Sequence, residues 1–186
     1  PYKPKRKTRA SVARERGLEP LAELIFAQEI TEGAPEDYAK DFVDPEKEVP
    51  DVEAAIAGAL DIIAENVSDS AEYRGELRRI LFEYGQIETK AAKDEDSVYA
   101  MYYDRTEPYA RMPGHRVLAV NRGEKEEFLK VSLELDETLA LAKLSAHVIT
   151  NANSPAVPFL AESIADSYRR LLYPALEREV RSALFD

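Results

Sequence analysis

The amino-acid sequence predicts a mainly α-helical fold, a multi-helix, bundle-like domain that carries one small two-stranded β element. Apolar residues recur every three or four positions through most of the chain, which is the period of an amphipathic helix. Only two short stretches alternate between polar and apolar residues, as a half-buried strand does. The composition, 45% hydrophobic and 33% charged over 186 residues, is typical of a globular protein with a substantial core.

Periodicity and charge divide the chain into three predicted regions. They are residues 1–17, a basic extended head and short helix; residues 18–150, a helical body with a small β element near 86–91 and 127–135; and residues 151–186, a long C-terminal helix leading towards a missing downstream domain. We expect that helix to be kinked or broken at Pro174, because proline lacks a backbone N–H. The chain begins at Pro1 without a methionine, so we also expect it to be a piece of a longer protein.

Local signals set the helix ends in the first part of the chain. Thr8 is predicted to cap the first helix, and Gly17 to follow it in a left-handed conformation. The second helix is predicted to start at Pro20, with its faces marked by Leu21, Leu24, Ile25, Gln28 and Glu29. Asp51 is predicted to cap a further helix, whose apolar face holds Val52, Ile56, Ala59, Leu60 and Ile63.

The best strand in the sequence is the alternating stretch at residues 128–135. A strand needs a partner, and the candidates are residues 86–91 and residues 116–122. The second candidate overlaps residues 115–123, which fit either a short helix or one arm of a hairpin. We favour the helix, because Pro113 precedes this stretch and Gly123 stands at its end.

The C-terminal region carries the longest apolar stripe in the chain. One helix face is predicted to hold Val157, Leu160, Ile164, Tyr168, Leu171 and Ala175. Asp166 and Arg170 stand four residues apart with the acid first, which favours a salt bridge on the helix surface. A one-sided surface of this length requires other helices to cover it.

The charge is unevenly distributed. The net charge is −11, but residues 1–16 hold seven basic side chains and one acidic side chain, so the rest of the chain carries −17. An acidic body repels phosphate, whose contacts usually dominate nucleic-acid affinity. The head therefore supplies the candidate nucleic-acid-binding residues, which are Lys3, Lys5, Arg6, Lys7 and Arg9. The alternative, which we favour, is a segment that is solvated or packed across neighbouring helices.

An aromatic cluster lies at residues 98–103, with the sequence VYAMYY. Its tyrosines are compatible with base stacking or with the filling of a core. We favour the core, because the neighbouring residues are acidic.

Motifs for catalysis or for metal binding are missing from the sequence. There is no cysteine, no glycine-rich phosphate loop and no HExxH or GxSxG pattern. The two histidines, His115 and His147, are far apart in the sequence, and the acidic clusters at 94–96 and 124–127 are interleaved with or flanked by lysines. We therefore expect no catalytic residues, no metal site and no cofactor, and we expect that the chain is not an enzyme. A metal-dependent hydrolase that uses the acidic clusters is the weaker alternative.

The sequence also indicates a compartment. No apolar stretch is long enough to span a membrane, nothing resembles a signal peptide, and cysteine is absent. We therefore expect a cytoplasmic protein with no membrane partner.

Four long segments, in order, resemble the N-terminal, mostly helical part of the Tex family of bacterial transcription accessory proteins. They are YKPKRKTRASVARERGLEPLAELI, FVDPEKEVPDVEAAIAGALDIIAENVS, HRVLAVNRGEKEEFLKV and SPAVPFLAESIADSYRRLLYPALEREVRS. The family is related to a eukaryotic transcription elongation factor that also acts as a histone chaperone. In Tex-like proteins a ribonuclease-H-like domain, helix-hairpin-helix elements and an S1 domain follow this region.

The resemblance implies that this chain is a non-catalytic scaffold or interaction region. The family's nucleic-acid (RNA or DNA) binding is attributed chiefly to the S1 and helix-hairpin-helix modules, which do not lie in these residues. The resemblance therefore implies nucleic-acid binding through absent modules and a protein partner in transcription. A direct nucleic-acid-binding module acting through the basic head is the alternative.

Overall fold

The computed structural model describes residues 6–185 and confirms the mainly α-helical fold. The helices are α1 (Arg9–Glu15), α2 (Glu19–Ala27), α3 (Pro35–Ala39), α4 (Val52–Asp69), α5 (Ala71–Tyr84), α6 (Gly114–Lys125), α7 (Glu137–Val148), α8 (Val157–Ser167) and α9 (Tyr173–Phe185). The strands are β1 (Gln86–Ala91), β2 (Arg105–Pro108) and β3 (Leu129–Glu134). Short 3₁₀ turns and one π-helical turn connect them.

The contacts divide the chain into two compact units. The first comprises the residues up to Arg74 together with Leu144–Leu172, and the second comprises Gly75–Lys143 together with the residues from Tyr173 onward. Each unit therefore combines segments that are distant in the sequence.

Helix α4 is the centre of the first unit. Asp51 caps it as predicted, because its Oδ1 accepts a hydrogen bond of 2.8 Å from the backbone N–H of Ala54. Helices α1, α2, α3 and α8 all pack against α4. Its buried residues therefore cover more than the predicted stripe, and they are Ala55, Ile56, Ala59, Leu60, Ile62, Ile63, Ala64 and Val67.

Two buried serines join α8 to α4. The hydroxyl of Ser163 donates a hydrogen bond of 2.8 Å to the carbonyl of Leu60, and the hydroxyl of Ser167 donates one of 2.7 Å to the carbonyl of Ala64. Both serines are almost fully buried. Their small side chains allow the two helices to approach closely, and their donors are satisfied by the facing backbone.

The predicted apolar stripe is correct from Leu160 to Tyr168, whereas Val157 before it is only half-buried and the positions after Tyr168 are wrong. Leu160, Ile164 and Tyr168 are buried, but Leu171 is only half-buried and the core position passes to Leu172. The reason is a π-helical turn at Tyr168–Leu172, which adds a residue to the turn and rotates the following side chains. Such a turn suits a site just before a proline, since Pro174 has no N–H for an ordinary α-helical bond. In α9 the buried residues are correspondingly Leu176 and Val180.

Gln28 does not belong to α2, contrary to the prediction. The helix ends at Ala27, and Gln28 takes a left-handed conformation with φ of 59°. Its buried side-chain amide accepts hydrogen bonds from the N–H groups of Thr150 and Asn151 and donates one to the carbonyl of Val148. This side chain therefore ties the end of α2 to the segment between α7 and α8.

The β element of the second unit has three strands, one more than predicted. The antiparallel order is β2-β1-β3, so β1 is central and pairs with β3 from Gln86 opposite Glu134 to Ala91 opposite Leu129. Residues 86–91 are thus the partner of the predicted strand. Strand β3 alternates buried and exposed residues along its whole length, with Leu129, Val131 and Leu133 facing inward. The four-residue β2, which ends in proline, shows no alternation that would have revealed it.

Helix α6 confirms the helical interpretation of residues 115–123, but Gly123 does not end the helix. The helix continues to Lys125, and Gly123 is buried within it. A Cβ atom at this position would lie 2.5 Å from Cδ1 of Leu129 and 3.1 Å from the ring of Tyr99. The glycine is therefore required for space between α6 and its neighbours.

We expect Ile164→Ala to lower the free energy of unfolding by about 2–5 kcal/mol, because the side chain is fully buried and the cavity cannot close completely. Urea denaturation of the parent and the variant measures this difference. Glu162→Ala is the matched control on the exposed face of the same helix, with an expected change within about 0.5 kcal/mol. Equal stability of Ile164→Ala and the parent would show that this face is not buried.

A pair of glycine substitutions is expected to have opposite effects. Gly123→Ala forces Leu129 to move and is expected to destabilise the protein by about 1–3 kcal/mol. Gly75→Ala, in α5, meets no atom of the described residues within 4 Å and is expected to stabilise it by about 0.5–1 kcal/mol. Thermal and urea denaturation of the parent and both variants measure these changes in stability. A Gly123→Ala variant more stable than the parent would contradict the close packing of α6.

Candidate nucleic-acid interface

The five predicted contact residues divide between described and undescribed parts of the chain. Lys3 and Lys5 lie outside the described residues. Arg6 and Lys7 precede α1 and are exposed, and Arg9 is the exposed first residue of that helix. The prediction that these five residues bind nucleic acid therefore stays a prediction.

The remaining cations of the head, Arg14 and Arg16, are held in salt bridges. Arg14 donates hydrogen bonds of 2.9 Å to Glu65 and of 3.0 Å to the side chain of Asn66, both on α4. Arg16 donates a hydrogen bond of 2.9 Å to Glu48. These contacts anchor α1 and reduce the positive charge that the head can offer to phosphate.

Thr8 joins the cap of α1 to α4. Its hydroxyl oxygen accepts a hydrogen bond of 3.0 Å from the N–H of Ser11, as predicted for an N-cap, and its hydroxyl donates one of 2.8 Å to Glu65. Burial raises the pKa of Glu65, but the hydrogen bonds from Arg14 and Thr8 outweigh it, so the pKa lies below its ordinary value. The ionised form of Glu65 therefore stabilises the folded unit.

Arg9 lies in the field of a second carboxylate on α4. Burial raises the pKa of Asp61, and the positive charges of Arg170 and Arg9 oppose that rise. Arg170 is itself held by Asp166, in the predicted pair, through hydrogen bonds of 3.2 and 2.9 Å. The positive charge of Arg9 thus acts on an acidic residue of its own unit.

The tyrosines at 98–103 lie mainly in the core, as favoured. Tyr99 and Tyr102 are buried, with 6% and 8% of their surface exposed, and the hydroxyl of Tyr99 donates a hydrogen bond to Glu126. Tyr103 is half-buried, and its hydroxyl lies 2.9 Å from that of Ser97. The buried rings of Tyr99 and Tyr102 present no open face for stacking.

One of the two histidines and one of the two acidic clusters form structural contacts. His147 Nε2 lies 3.2 Å from Glu72, in the first unit, whereas His115 is an exposed residue of α6 in the second. Glu124 accepts a hydrogen bond from the N–H of Val131 and pairs with Arg181. Within residues 6–185 no three His, Asp or Glu side chains are grouped as ligands of a metal ion. In the same range no helix is long and apolar enough to cross a membrane.

One surface was missed in the sequence, a groove beside α6 that exposes Val98, Met101 and Leu118. The helical spacing of Leu118, Arg122 and Lys125 was the available signal. This signal is weak, because a single leucine on a short helix is as typical of a core stripe as of an exposed surface.

Comparison with known proteins identifies the family. Residues 31–186 match a family model described as Tex central region-like. The chain belongs to the Tex family. This confirms the resemblance seen in the sequence.

Individual relatives agree with this membership. YdcI of Bacillus subtilis (strain 168) is 45% identical over 193 residues, covering 99% of this chain and 26% of that protein. The transcriptional accessory protein Tex of Neisseria gonorrhoeae is 37% identical over 139 residues, covering 72% of this chain and 18% of the relative. The transcription elongation factor SPT6 homolog of Arabidopsis thaliana is 24% identical over 213 residues, covering 98% of this chain and 13% of the relative. The Tex family is thus transcription-related, and this chain spans about a quarter or less of these relatives' length.

We expect Glu65→Gln to lower the free energy of unfolding by about 1–3 kcal/mol at neutral pH, because it weakens two charge-assisted hydrogen bonds. A lowered pKa means that this contribution is complete above pH 4.5, the ordinary value, and is lost as the pH falls through the folded-state pKa. The parent and the variant should therefore converge in stability at acidic pH.

Urea denaturation at a series of pH values from neutral to acidic measures both effects. Glu23→Gln, an exposed position on α2, is the control and should change little at any pH. A difference in stability between the parent and Glu65→Gln that persists undiminished below the folded-state pKa would contradict stabilisation by the ionised form of Glu65.

Proposed function

We propose that this chain is a non-catalytic helical scaffold region of a nucleic-acid-binding transcription accessory protein of the Tex family. The observation that carries the proposal is the use of the head's cations within the first unit. Arg14 binds Glu65 and Asn66 of α4, and Arg16 binds Glu48 after the 3₁₀ turn at Pro45–Lys47, so these charges hold α1 in place. The family membership supplies the link to transcription.

The charge of the chain supports the same proposal. Beyond residue 16 the sequence carries a net charge of −17, which repels a phosphate backbone over a distance set by the salt concentration. A scaffold needs no attraction to nucleic acid, because other modules of a longer protein supply it. An acidic surface also suits contacts with basic partner proteins or with other domains of the same protein.

Direct nucleic-acid binding is the second candidate function. It is favoured by the exposure of Arg6, Lys7 and Arg9, which form a short cationic stretch beside the cap of α1. Three to five cations of this kind give a weak, salt-sensitive contact without sequence preference.

A gel-shift titration with single-stranded RNA distinguishes the two candidates. On the scaffold proposal the 186-residue chain shows no shift at micromolar protein in moderate salt. The decisive variant carries Lys3, Lys5, Arg6, Lys7 and Arg9 changed to alanine. Its control changes the exposed residues Arg74, Lys130 and Arg178 to alanine.

Micromolar or tighter binding that weakens steeply with salt, disappears in the five-residue variant and survives in the control would reject the scaffold proposal. The slope of log affinity against log salt would then fall by about 0.7 for each lost phosphate contact.

A further inference from the structure

An apolar groove lies in the second unit between α6 and the 3₁₀ turn at Ala100–Tyr102. We call it the α6 groove; its lining includes Val98, Met101, Tyr102, Leu118, Arg122 and Lys125, and its volume is about 600 Å³. The exposed fractions of its three aliphatic side chains are 85% for Val98, 69% for Met101 and 72% for Leu118. Single exposed apolar residues are common, but three around one concave surface are typical of an interaction site.

The rim of the α6 groove is cationic. Leu118, Arg122 and Lys125 follow one another at spacings of four and three, so they share the outer face of α6. In the part of the chain that the structure describes, neither Arg122 nor Lys125 forms a salt bridge or a hydrogen bond through its side chain. This local positive charge contrasts with the net charge of −11.

The two nearest acidic residues of α6 and its C-cap have contacts of their own. Glu124 accepts a hydrogen bond of 3.1 Å from the N–H of Val131 and pairs with Arg181. Glu126 accepts the hydroxyl hydrogen of Tyr99. No acidic side chain lines the groove among the described residues, so the charged side chains of its lining, Arg122 and Lys125, are both positive.

We propose that the α6 groove docks an acidic amphipathic helix of a partner protein. Aliphatic side chains of that helix would cover Val98, Met101 and Leu118, and carboxylates beside them would pair with Arg122 and Lys125. The inference rests on the scaffold role proposed above and names the kind of segment that the scaffold holds.

The groove's chemistry favours a protein helix over other occupants. Single-stranded nucleic acid requires exposed rings for stacking, but Tyr99 and Tyr102 are buried and the exposed side chains are aliphatic. A second copy of the chain, joined two-fold through the same groove, would bring its own Arg122 and Lys125 towards this cationic rim. Charge complementarity thus selects an acidic helix.

The test uses a fluorescent synthetic peptide and the 186-residue chain. The peptide is about 18 residues long, because shorter isolated helices are marginal in water. It carries leucines three and four positions apart with glutamates flanking the stripe, and a second peptide carries lysine at every glutamate position. Fluorescence anisotropy is expected to show binding of the acidic peptide at least about tenfold tighter than that of the basic one.

Substitutions then locate the site. Leu118→Ser and Lys125→Glu are each expected to weaken binding of the acidic peptide by about tenfold or more. Both positions are exposed, so the variants should retain the circular-dichroism spectrum and thermal melt of the parent. Phe82→Ser is the matched control, because Phe82 is 63% exposed on α5 and does not line the groove.

Four results would overturn the inference. They are no binding of the acidic peptide, equal binding of both peptides, undiminished binding by Leu118→Ser, and a dimer in sedimentation that Leu118→Ser dissociates. None of these results affects the scaffold proposal, which the RNA titration tests independently.

Discussion

The packing of α8 against α4 is the constraint on which the first unit depends. Ser163 and Ser167 have small side chains at the contact, and their hydroxyl groups donate hydrogen bonds to the backbone carbonyls of Leu60 and Ala64. Because these donors are satisfied inside the core, the close approach adds hydrogen bonds without leaving a buried polar group unpaired. With α8 fixed on one side, α4 buries its other faces under α1, α2 and α3.

This arrangement gives part of the basic head a structural role in an acidic chain. Helix α1 is short and would not be stable alone, so its position depends on contacts with α4. Arg14 and Thr8 supply these contacts through one carboxylate, Glu65. Part of the positive charge that suggested nucleic-acid binding therefore pairs α1 with the acidic helix α4. In the second unit, by contrast, Arg122 and Lys125 on α6 have no such pairing among the described residues.

Features set by neighbouring residues could be predicted from the sequence, whereas those set by distant residues could not. The caps at Thr8 and Asp51 are local hydrogen bonds, and the alternation of β3 reports its own buried face. The π-helical turn after Tyr168 shifts the apolar face by one residue, which a constant helical period cannot show. Gln28 contacts a segment more than 100 positions away, so only the folded chain reveals its role.

The candidate site shows the same limit. Sequence charge identified the basic head, but only the structure shows that Arg14 and Arg16 are occupied by acidic partners. The α6 groove could not be predicted, because its lining combines residues of α6 with residues of a turn about twenty positions earlier in the sequence. Native-state hydrogen exchange tests the central claim most directly. The account predicts that the amides of residues 60–67 in α4 exchange only through global unfolding. Exchange of these amides as fast as that of the first turn of α4 would contradict a core built on the contact between α4 and α8.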